Sequence, residues 1–543
     1  MRASQLLVRC LENEGVKYIF SIPGEETMDI VDALSESSMQ YVVVRHEQGA
    51  AFMADVWGRL TGIPGVVLAT LGPGATNTVT AVADAFQDRS PMVVITGQAS
   101  LVRVHQESHQ YLDTVSMLKP MTKWSHQVNN PQSIPEVVRK AFKIAETEKR
   151  GPVHLEFPED VTHLAVEAIP MRVMAPPRPA PAQSVLAQAT DVINAARCPM
   201  IFVGNGVIRE RAVNALRAFV ETTGIPVVNT FMAKGVLPFD HPLNLQTMGL
   251  QMKDYVAYAF DKADLIITIG FDYVEYQPHF FNPQGKPVVH IDTAMAEVDV
   301  LYPLAAEVVG NIKTSLIHLA ETVRPFEKPS WLKKLGALIR QEAEPVPQEE
   351  GRGLKPQTVL WHVAEALGPE GIAISDVGAH KLWVSRIFKA PSPNSVIVSN
   401  GFAAMGIALP GAIAAKLAHP SRPVVAITGD GGFMMNVQEI ETAKRLGLSF
   451  VVIIFNDNLY GVIDWKLKTR YDRSYGVSFT NPDFETLADS FGVIGMKVRT
   501  DEELPGVLAK AFAANDVVIV DVAIDPSENF NLTKRLKELS LSI

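Results

Sequence analysis

The sequence predicts an α/β protein made of three doubly wound domains, each built on a parallel sheet. One observation behind this prediction is that short apolar runs alternate with helical patterns along most of the 543 residues. Another is that residues 424–458 read as strand, tight turn, helix and strand, the repeating unit of a parallel sheet. A third is that proline-containing stretches at residues 170–182 and 325–353 divide the chain into three parts.

The expected elements follow this division. The first domain, residues 1–168, begins with an amphipathic helix and has strands expected at 41–44, 66–70, 92–96 and 153–157. The central domain, residues 183–324, has strands expected at 200–203, 226–228, 265–269 and 288–291. The third domain, residues 354–543, contains the strand–helix–strand unit, with strands expected at 424–428 and 450–455.

Composition argues against several classes of partner. The net charge is −10 and no block of Lys and Arg is present, so a nucleic-acid groove is not expected. The two cysteines, Cys10 and Cys198, cannot form a disulfide framework. Residues 399–415, which contain no charged residue, are too short and too broken by Pro410 and several glycines to span a bilayer. Because the N-terminus also lacks the apolar core of a signal peptide, we expect a cytoplasmic protein without membrane partners.

Polar clusters follow the two strands of the 424–458 unit. Asp430, Gly431 and Gly432 come after the first strand, and Asp457 comes after the second. Because parallel strands end at the same edge of a sheet, both carboxylates are expected to converge on one hard cation such as Mg²⁺. The glycines leave backbone N–H groups free to approach a phosphate. A plain turn would explain Gly-Asp-Gly alone, but the second cluster favours a site for Mg²⁺ and a diphosphate.

Three further stretches have two interpretations each. Glu47 lies where a helix is expected to begin, and the helix dipole alone would explain a glutamate there. Residues 71–77, LGPGATN, form either a functional loop or an ordinary strand–helix turn. Residues 204–206, Gly-Asn-Gly, follow a strand as in a dinucleotide-binding motif, but Arg209 replaces the third glycine, so a plain turn is favoured.

Four motifs together give the whole chain a resemblance to the thiamine-diphosphate (ThDP)-dependent 2-oxoacid enzymes. They occur in the order of that family and read RHEQGAAFMAD, GPGATN, NGFAAMGIALPGAI and GDGGF…NDN. The group that the chain resembles most is the acetolactate (acetohydroxyacid) synthases. The resemblance implies a pyrimidine-binding, a central and a diphosphate-binding domain. It also implies ThDP sites between subunits, and therefore a homodimer or homotetramer.

The resemblance implies a role for each matching position. Glu47 is expected to hydrogen-bond N1′ of the pyrimidine, Met405 to enforce the bent cofactor shape, and the Ala403 carbonyl to accept from the 4′-amino group. In the stretch SHQYLDTVSMLKPMTKW, Gln110 is expected to orient the hydroxyl of the intermediate, with His109 on the pocket wall. The other implied contacts are to the pyrimidine ring (Pro73, Asn77), to magnesium (Asp430, Asp457 and the Leu459 carbonyl) and to the diphosphate (Gly378, His380, Gly431, Gly432).

The implied reaction is the condensation of two pyruvates to 2-acetolactate with loss of CO2, a step of branched-chain amino-acid biosynthesis. Another ThDP-dependent 2-oxoacid decarboxylase or carboligase is the alternative; Glu47, Asp430 and Asp457 speak against a non-catalytic relative. FAD is not expected, because residues 269–278, IGFDYVEYQP, replace the Arg-Phe-Asp-Asp-Arg stretch of the FAD-binding anabolic synthases. This favours the catabolic, FAD-independent type.

Two departures from the resembled enzymes concern the acceptor substrate. In the catabolic type, Ile-Pro-Gly is followed by alanine and then by a lysine. Here Ile-Pro-Gly is followed by Glu25 and Glu26. Lys466 stands at the position of a tryptophan that favours 2-oxobutyrate in the anabolic enzymes, although Trp465 is adjacent.

Overall fold

Three parallel sheets form the framework of the molecule. A computed structural model of the chain describes residues 1–248 and 255–531. Within these residues, eighteen strands form three six-stranded sheets, and every strand pairing within them is parallel. The α/β class with three parallel sheets is therefore confirmed.

Each sheet is formed by consecutive strands of the chain. The first contains β1 (Tyr18–Ser21), β2 (Gln40–Val43), β3 (Gly65–Ala69), β4 (Met92–Gln98), β5 (Ser125–Gln127) and β6 (Pro152–Pro158). The second contains β7 (Pro199–Val203), β8 (Val227–Asn229), β9 (Asn244–Thr247), β10 (Leu265–Ile269), β11 (Val288–Asp292) and β12 (Leu304–Val309). The third contains β13 (Ile372–Ser375), β14 (Val396–Val398), β15 (Val424–Gly429), β16 (Phe450–Asn456), β17 (Ile494–Val498) and β18 (Val517–Ala523).

Helices connect the strands. Up to the first linker they are α1 (Ala3–Asn13), α2 (Met28–Leu34), α3 (Glu47–Thr61), α4 (Pro73–Asn77), α5 (Val79–Gln87), α6 (Thr114–Leu118), α7 (Ile134–Glu146) and α8 (Glu159–Thr162). The central part has α9 (Gln183–Ala195), α10 (Gly206–Arg209), α11 (Val213–Thr223), α12 (Tyr255–Lys262), α13 (Pro278–Phe281), α14 (Ile312–Thr322) and α15 (Leu332–Glu342). The last part has α16 (Pro356–Leu367), α17 (Ala379–Ile387), α18 (Ala408–Ala418), α19 (Asp430–Met435), α20 (Glu439–Arg445), α21 (Gly461–Tyr471), α22 (Phe484–Ser490) and α23 (Leu504–Ala513). Short 3₁₀ turns cover Glu25–Thr27, Lys119–Met121, Pro131–Ser133 and Phe231–Ala233.

The ten strands expected from the sequence are all present, with ends that differ from the expected ones by two residues at most. The first amphipathic helix is confirmed as α1, which buries Leu6, Leu7 and Leu11. Residues 170–182 are mostly exposed and contain neither helix nor strand, as a linker requires. Residues 325–353 differ from a plain connection because they contain α15, whose Leu332, Leu335 and Ile339 are buried.

The chain divides into two compact units. Unit 1 comprises Met1–Pro177, Gly401–Ser421 and Met434–Leu448, and it contains the first sheet. Two helices from late in the sequence, α18 and α20, therefore belong to unit 1, where α18 packs against α3. Unit 2 comprises Arg178–Asn400, Arg422–Phe433 and Ser449–Ile543, and it contains the second and third sheets. No helix among the described residues is long and apolar enough to cross a membrane.

Each sheet has one point at which successive connections leave in opposite directions. The strand orders are β2-β1-β3-β4-β6-β5, β12-β11-β10-β7-β8-β9 and β14-β13-β15-β16-β18-β17. The reversals therefore lie between β1 and β3, between β7 and β10, and between β13 and β15. Crevices at the carboxyl ends of such strands are where open α/β sheets bind ligands.

Candidate active site

The reversal point of the third sheet carries the Asp430 cluster. Asp430 follows β15, Asp457 follows the adjacent β16, and Gly429 is in register with Phe455 near the ends of the two strands. Oδ2 of Asp430 accepts from the backbone N–H of Asn458 at 2.7 Å, which places the two strand ends against each other. The two carboxylates predicted to converge are thus at one edge of the sheet.

Electrostatic repulsion couples these two carboxylates. Burial, followed by the charge of Asp430, raises the pKa of Asp457 to about 7. Burial likewise raises the pKa of Asp430, although backbone and side-chain donors oppose that shift. A divalent cation between two such groups would relieve the repulsion, so the site fits Mg²⁺.

Protein carboxylates alone do not complete a metal site. Among residues 1–248 and 255–531, no group of three or more His, Cys, Asp or Glu side chains is placed to hold a metal ion. Mg²⁺ commonly uses one or two carboxylates together with phosphate oxygens, so a diphosphate would supply the missing ligands. The Leu459 carbonyl is a further candidate ligand, and the Leu459 N–H is fixed by Oδ1 of Asp457 at 3.1 Å.

Asn481 is part of this site and was missed by the sequence analysis. Its Nδ2 donates to Asp430 Oδ2 at 2.7 Å and to the side-chain oxygens of Asn456 and Asn458, both at 3.1 Å. It thus holds the orientation of the Asp430 carboxylate. Asn481 lies in a loop far along the chain from Asp430 and has no motif around it, so the sequence contained no signal for this contact.

His380 supplies a hydrogen-bonding group beside the same strand ends. Burial lowers the pKa of this histidine to about 3, so it is neutral at physiological pH. Its Nε2 is buried and has no hydrogen-bond partner among the described residues. Cβ atoms built on Gly378 and Gly429 would lie 2.7 and 3.2 Å from its ring, so glycine at both positions leaves room for it. An unpaired buried nitrogen here fits a ligand with acceptor oxygens, such as a diphosphate.

Glycines also leave space around Asp430. A Cβ built on Gly431 would lie 2.9 Å from the Tyr460 ring, and one on Gly432 would lie 3.1 Å from the Asp376 carboxylate. The backbone N–H of Gly431 donates to Oδ1 of Asp430 at 2.8 Å. Larger side chains at either glycine would have to displace these neighbours.

In unit 1, Glu47 is the first residue of α3 and is 7% exposed. His46 caps the helix, because its Nδ1 accepts from the Gln48 N–H at 3.0 Å. Asn77 Nδ2 donates to Glu47 Oε2 at 2.9 Å, so this predicted pair of site residues is in direct contact. A Cβ built on Gly74 would lie 3.5 Å from Glu47 Oε1, which places the LGPGATN loop against the carboxylate.

Glu439 of α20 supports the start of α3 and was also missed from the sequence. Its Oε1 accepts from the Arg45 N–H at 3.1 Å, and its Oε2 accepts from the Thr442 hydroxyl at 2.7 Å. A Cβ built on Gly49 would lie 2.7 Å from Glu439 Oε1, so glycine permits this approach. Burial raises the pKa of Glu439 to about 7. The sequence contained no signal for this role, because nothing in the stretch EIETAKR distinguishes Glu439 from Glu441.

The loop that carries His109 and Gln110 lies beside the LGPGATN loop. Both side chains are exposed, and Gln110 has a positive φ of 57°. A Cβ built on Gly72 would lie 2.5 Å from the Gln110 carbonyl oxygen, so Gly72 and Gln110 are in close contact. Pro73, the first residue of α4, is therefore adjacent to this contact and is itself exposed.

The loop before α18 has a strained backbone at a predicted cofactor contact. Ala403 has φ of 56°, a conformation that alanine rarely adopts. The next glycine, Gly406, accepts from Asn436 Nδ2 at 2.8 Å and leaves no space there for a Cβ. Met405, between them, is half-buried. Strain of this kind persists where surrounding contacts fix it and is frequent at ligand sites.

The positions that differ from the resembled enzymes are partly exposed. Glu25 is exposed, whereas Oε2 of Glu26 accepts from the Thr70 hydroxyl at 2.7 Å at the reversal point of the first sheet. On α21, Trp465 is buried and Lys466 is exposed.

Comparison with known proteins agrees with the three sheets. Models of the thiamine pyrophosphate enzyme family match residues 1–117 (N-terminal TPP binding domain), 186–319 (central domain) and 376–522 (C-terminal TPP binding domain). The chain is 34% identical to an acetolactate synthase of Bacillus subtilis, over 98% of this chain and 94% of that protein. It is 34% identical to a probable acetolactate synthase large subunit of Methanocaldococcus jannaschii and 31% identical to an acetolactate synthase large subunit of Lactococcus lactis. Each of these two alignments covers 97% of this chain and 93% of the relative. The chain therefore belongs to the thiamine pyrophosphate (ThDP) enzyme family.

Proposed function

We propose that this protein is a ThDP- and Mg²⁺-dependent acetolactate synthase that condenses two pyruvates to 2-acetolactate and releases CO2. The observation that carries the proposal is the similarity to named acetolactate synthases over nearly the whole chain. The site geometry supports the cofactor requirement independently, through the repelling Asp430–Asp457 pair and the unpaired Nε2 of His380.

The chain's own residues would bind the cofactor at its two ends. Asp430, Asp457 and the Leu459 carbonyl would hold Mg²⁺, and the diphosphate would lie against Gly378, His380, Gly431 and Gly432. Pro73 and Asn77 would contact the pyrimidine, Ala403 would accept from its amino group, and Met405 would support the bent shape. We take the boundaries 1–168, 183–324 and 354–543 as the pyrimidine-binding, central and diphosphate-binding domains.

Glu47 would hold and move a proton at N1′ of the pyrimidine. Its carboxylate is nearly buried and is oriented by Asn77, as a general acid–base group requires. When bound, ThDP supplies the carbon that attacks the 2-oxoacid carbonyl and accepts the electron pair left by CO2. Gln110 would orient the hydroxyl of the intermediate, and His109 would form part of the wall of the pocket.

We further propose that the enzyme is of the FAD-independent, catabolic-like type. At the reversal point of the second sheet, the backbone N–H of Asn205 donates to Glu275 Oε1 at 2.9 Å, and the Thr230 hydroxyl donates to Oε2 at 2.5 Å. The 204–206 turn thus presents its N–H to a buried carboxylate of the chain. A dinucleotide phosphate would need that N–H, which Glu275 already occupies.

The remaining parts of the proposal concern assembly and location. We propose a homodimer or homotetramer with ThDP sites between subunits, acting in the cytoplasm on small 2-oxoacids, without nucleic-acid or membrane partners.

Another ThDP-dependent decarboxylase or carboligase is the second candidate. Glu26 favours it, because a carboxylate at the strand ends of the first sheet would repel a negatively charged acceptor.

Product analysis separates these candidates. Purified protein is incubated with ThDP, Mg²⁺ and pyruvate, and the products are identified by NMR. We expect 2-acetolactate in excess over acetaldehyde. Predominant acetaldehyde, or consumption of another 2-oxoacid but not pyruvate, would support the second candidate. ThDP binding without consumption of any 2-oxoacid would identify a non-catalytic relative.

A further inference from the structure

Residues 99–113, which we call the His-Gln loop, connect β4 to α6 and carry His109 and Gln110. The backbone of these residues belongs to no strand, so the hydrogen bonds between strands of the sheet do not fix its position. Glu159 and Asp160, at the start of α8, accept hydrogen bonds from the start of this loop. Glu156, near the end of β6, instead contacts the two residues that flank the loop, Gln98 and Thr114.

The end of the loop is held by Glu156, which is 1% exposed. Its Oε1 accepts from Gln127 Nε2 at 2.7 Å, and its Oε2 accepts from Gln98 Nε2 at 3.0 Å and from the Thr114 hydroxyl. Thr114 is the first residue of α6, immediately after the loop. Nε2 of Gln98 also donates to the Leu112 carbonyl at 2.9 Å. One carboxylate therefore orders the last residues of the loop through two side chains.

The start of the loop has separate contacts. The Ser100 hydroxyl donates to Asp160 Oδ2 at 2.8 Å, and the Leu101 N–H donates to the same carboxylate at 3.1 Å. Arg103 forms an ion pair with Glu159. These contacts end at Arg103, seven residues before Gln110. Gln110 lies only two residues before Leu112, where the Glu156-supported end of the loop begins.

The position of Gln110 depends on close backbone contact. Its left-handed backbone and the 2.5 Å approach of a Cβ built on Gly72 leave little freedom for the loop to shift without losing this packing. Movement of the Leu112–Thr114 end would therefore move Gln110 relative to the Gly72–Pro73 turn.

We propose that Glu156 is a positioning residue that fixes Gln110 through Thr114, Gln98 and the Leu112 carbonyl. The catalytic consequence rests on the role proposed above for Gln110, whereas the ordering of the loop does not. Glu156 is not proposed to contact a reacting group; it acts only by fixing the position of the His-Gln loop.

Two variants test the proposal. Glu156→Gln replaces a carboxylate with an amide that has one acceptor oxygen, so it cannot accept from Gln98, Gln127 and Thr114 as they are now arranged. Thr114→Val keeps the shape of the side chain but removes one donor, which makes the test independent of whether the first variant folds. The control is Glu14→Gln, because Glu14 is another buried carboxylate of unit 1, paired with Arg139 away from the loop.

Peptide-resolved hydrogen exchange is measured on the ThDP- and Mg²⁺-loaded protein at about pH 8. Burial raises the pKa of Glu156 to about 7, so the wild-type carboxylate is then mostly ionised. We expect residues 104–113 to exchange roughly tenfold faster or more in both variants, the scale of a lost hydrogen bond to a charged group. The Glu14→Gln control should leave exchange in these residues unchanged.

Turnover of the 2-oxoacid and the ratio of acetolactate to acetaldehyde form the second measurement. We expect both test variants to retain ThDP affinity but to lose turnover roughly tenfold and to release a larger share of acetaldehyde. Unchanged loop exchange, or faster exchange with unchanged turnover, would overturn the proposal. If the wild type makes no acetolactate, the proposed function fails, while loop exchange and 2-oxoacid turnover still decide the role of Glu156.

Discussion

Replacing Glu439 with glutamine should make the protein more stable above neutral pH while lowering its activity. The Glu439 carboxylate lies beneath the start of α3 and accepts from the Arg45 N–H and the Thr442 hydroxyl. Glu47 follows two residues after Arg45, so the contact supports the backbone that presents the proposed acid–base group. The variant removes the charge and keeps the size of the side chain.

The expected stability change follows from the pKa of Glu439, which burial raises from its ordinary value of 4.5 to about 7. At about 1.4 kcal/mol per pKa unit, the folded state is penalised by about 3 kcal/mol once the group is ionised. Because the folded pKa is the higher one, this loss of unfolding free energy develops as pH rises from about 4.5 to about 7 and is complete above that range. The glutamine variant avoids this loss but weakens one hydrogen bond, worth about 1 kcal/mol.

The net gain for Glu439→Gln is therefore about 2 kcal/mol at about pH 8, and it disappears at about pH 5. Thermal unfolding at these two pH values measures this difference as a rise of about 2 °C in Tm at the higher pH only, because the entropy of unfolding grows with chain length. Turnover should fall roughly tenfold, because the weakened hydrogen bond to Arg45 positions Glu47 less well. The control is Glu441→Gln on the same helix, where the lost carboxylate pairs with Arg445 at the surface. An equal Tm difference at both pH values, or full activity of the variant, would refute the reasoning.

Three other outcomes are expected at the proposed cofactor sites. Asp430→Ala should abolish ThDP retention in the presence of Mg²⁺, because the diphosphate would lose its bridging cation; unchanged ThDP affinity by calorimetry would contradict the metal site. Glu47→Gln should still bind ThDP but turn over on the order of 10²-fold more slowly, and near-normal turnover would remove Glu47 from the mechanism. The purified protein should be colourless and active without flavin, because Glu275 faces the Asn205 N–H; a yellow preparation with stoichiometric FAD would refute this.

The parts of the structure that the sequence predicted depend on local patterns. The runs at 265–269 and 424–428 contain only apolar residues and threonine, and buried strands of a parallel sheet require such runs. The meeting of Asp430 and Asp457 was predictable because a strand–helix–strand unit places successive strand ends at one edge. Neither inference needed information from distant parts of the chain.

The parts that the sequence did not predict depend on contacts between distant segments. Asn481 reaches Asp430, and Glu439 reaches Arg45, only after the chain has folded. The assignment of α18 and α20 to unit 1 is of the same kind, since nothing in their own sequences indicates which sheet they join. Helix α15 was missed because the prolines and charges around it resemble a linker, although its buried leucines repeat with helical spacing.

Buried glutamates perform a common task in this fold. Glu156, Glu275 and Glu439 each accept hydrogen bonds from a segment that adjoins the end of a strand, and burial raises the pKa of each to about 7. Such segments have left the ladder of the sheet, so their N–H and hydroxyl donors need acceptors from elsewhere. A carboxylate has two acceptor oxygens with about four acceptor sites, whereas a glutamine side chain of similar size has one acceptor oxygen. This acceptor capacity explains why glutamate recurs at all three positions. The protein loses stability as pH rises toward 7, because each of these buried groups is then ionised.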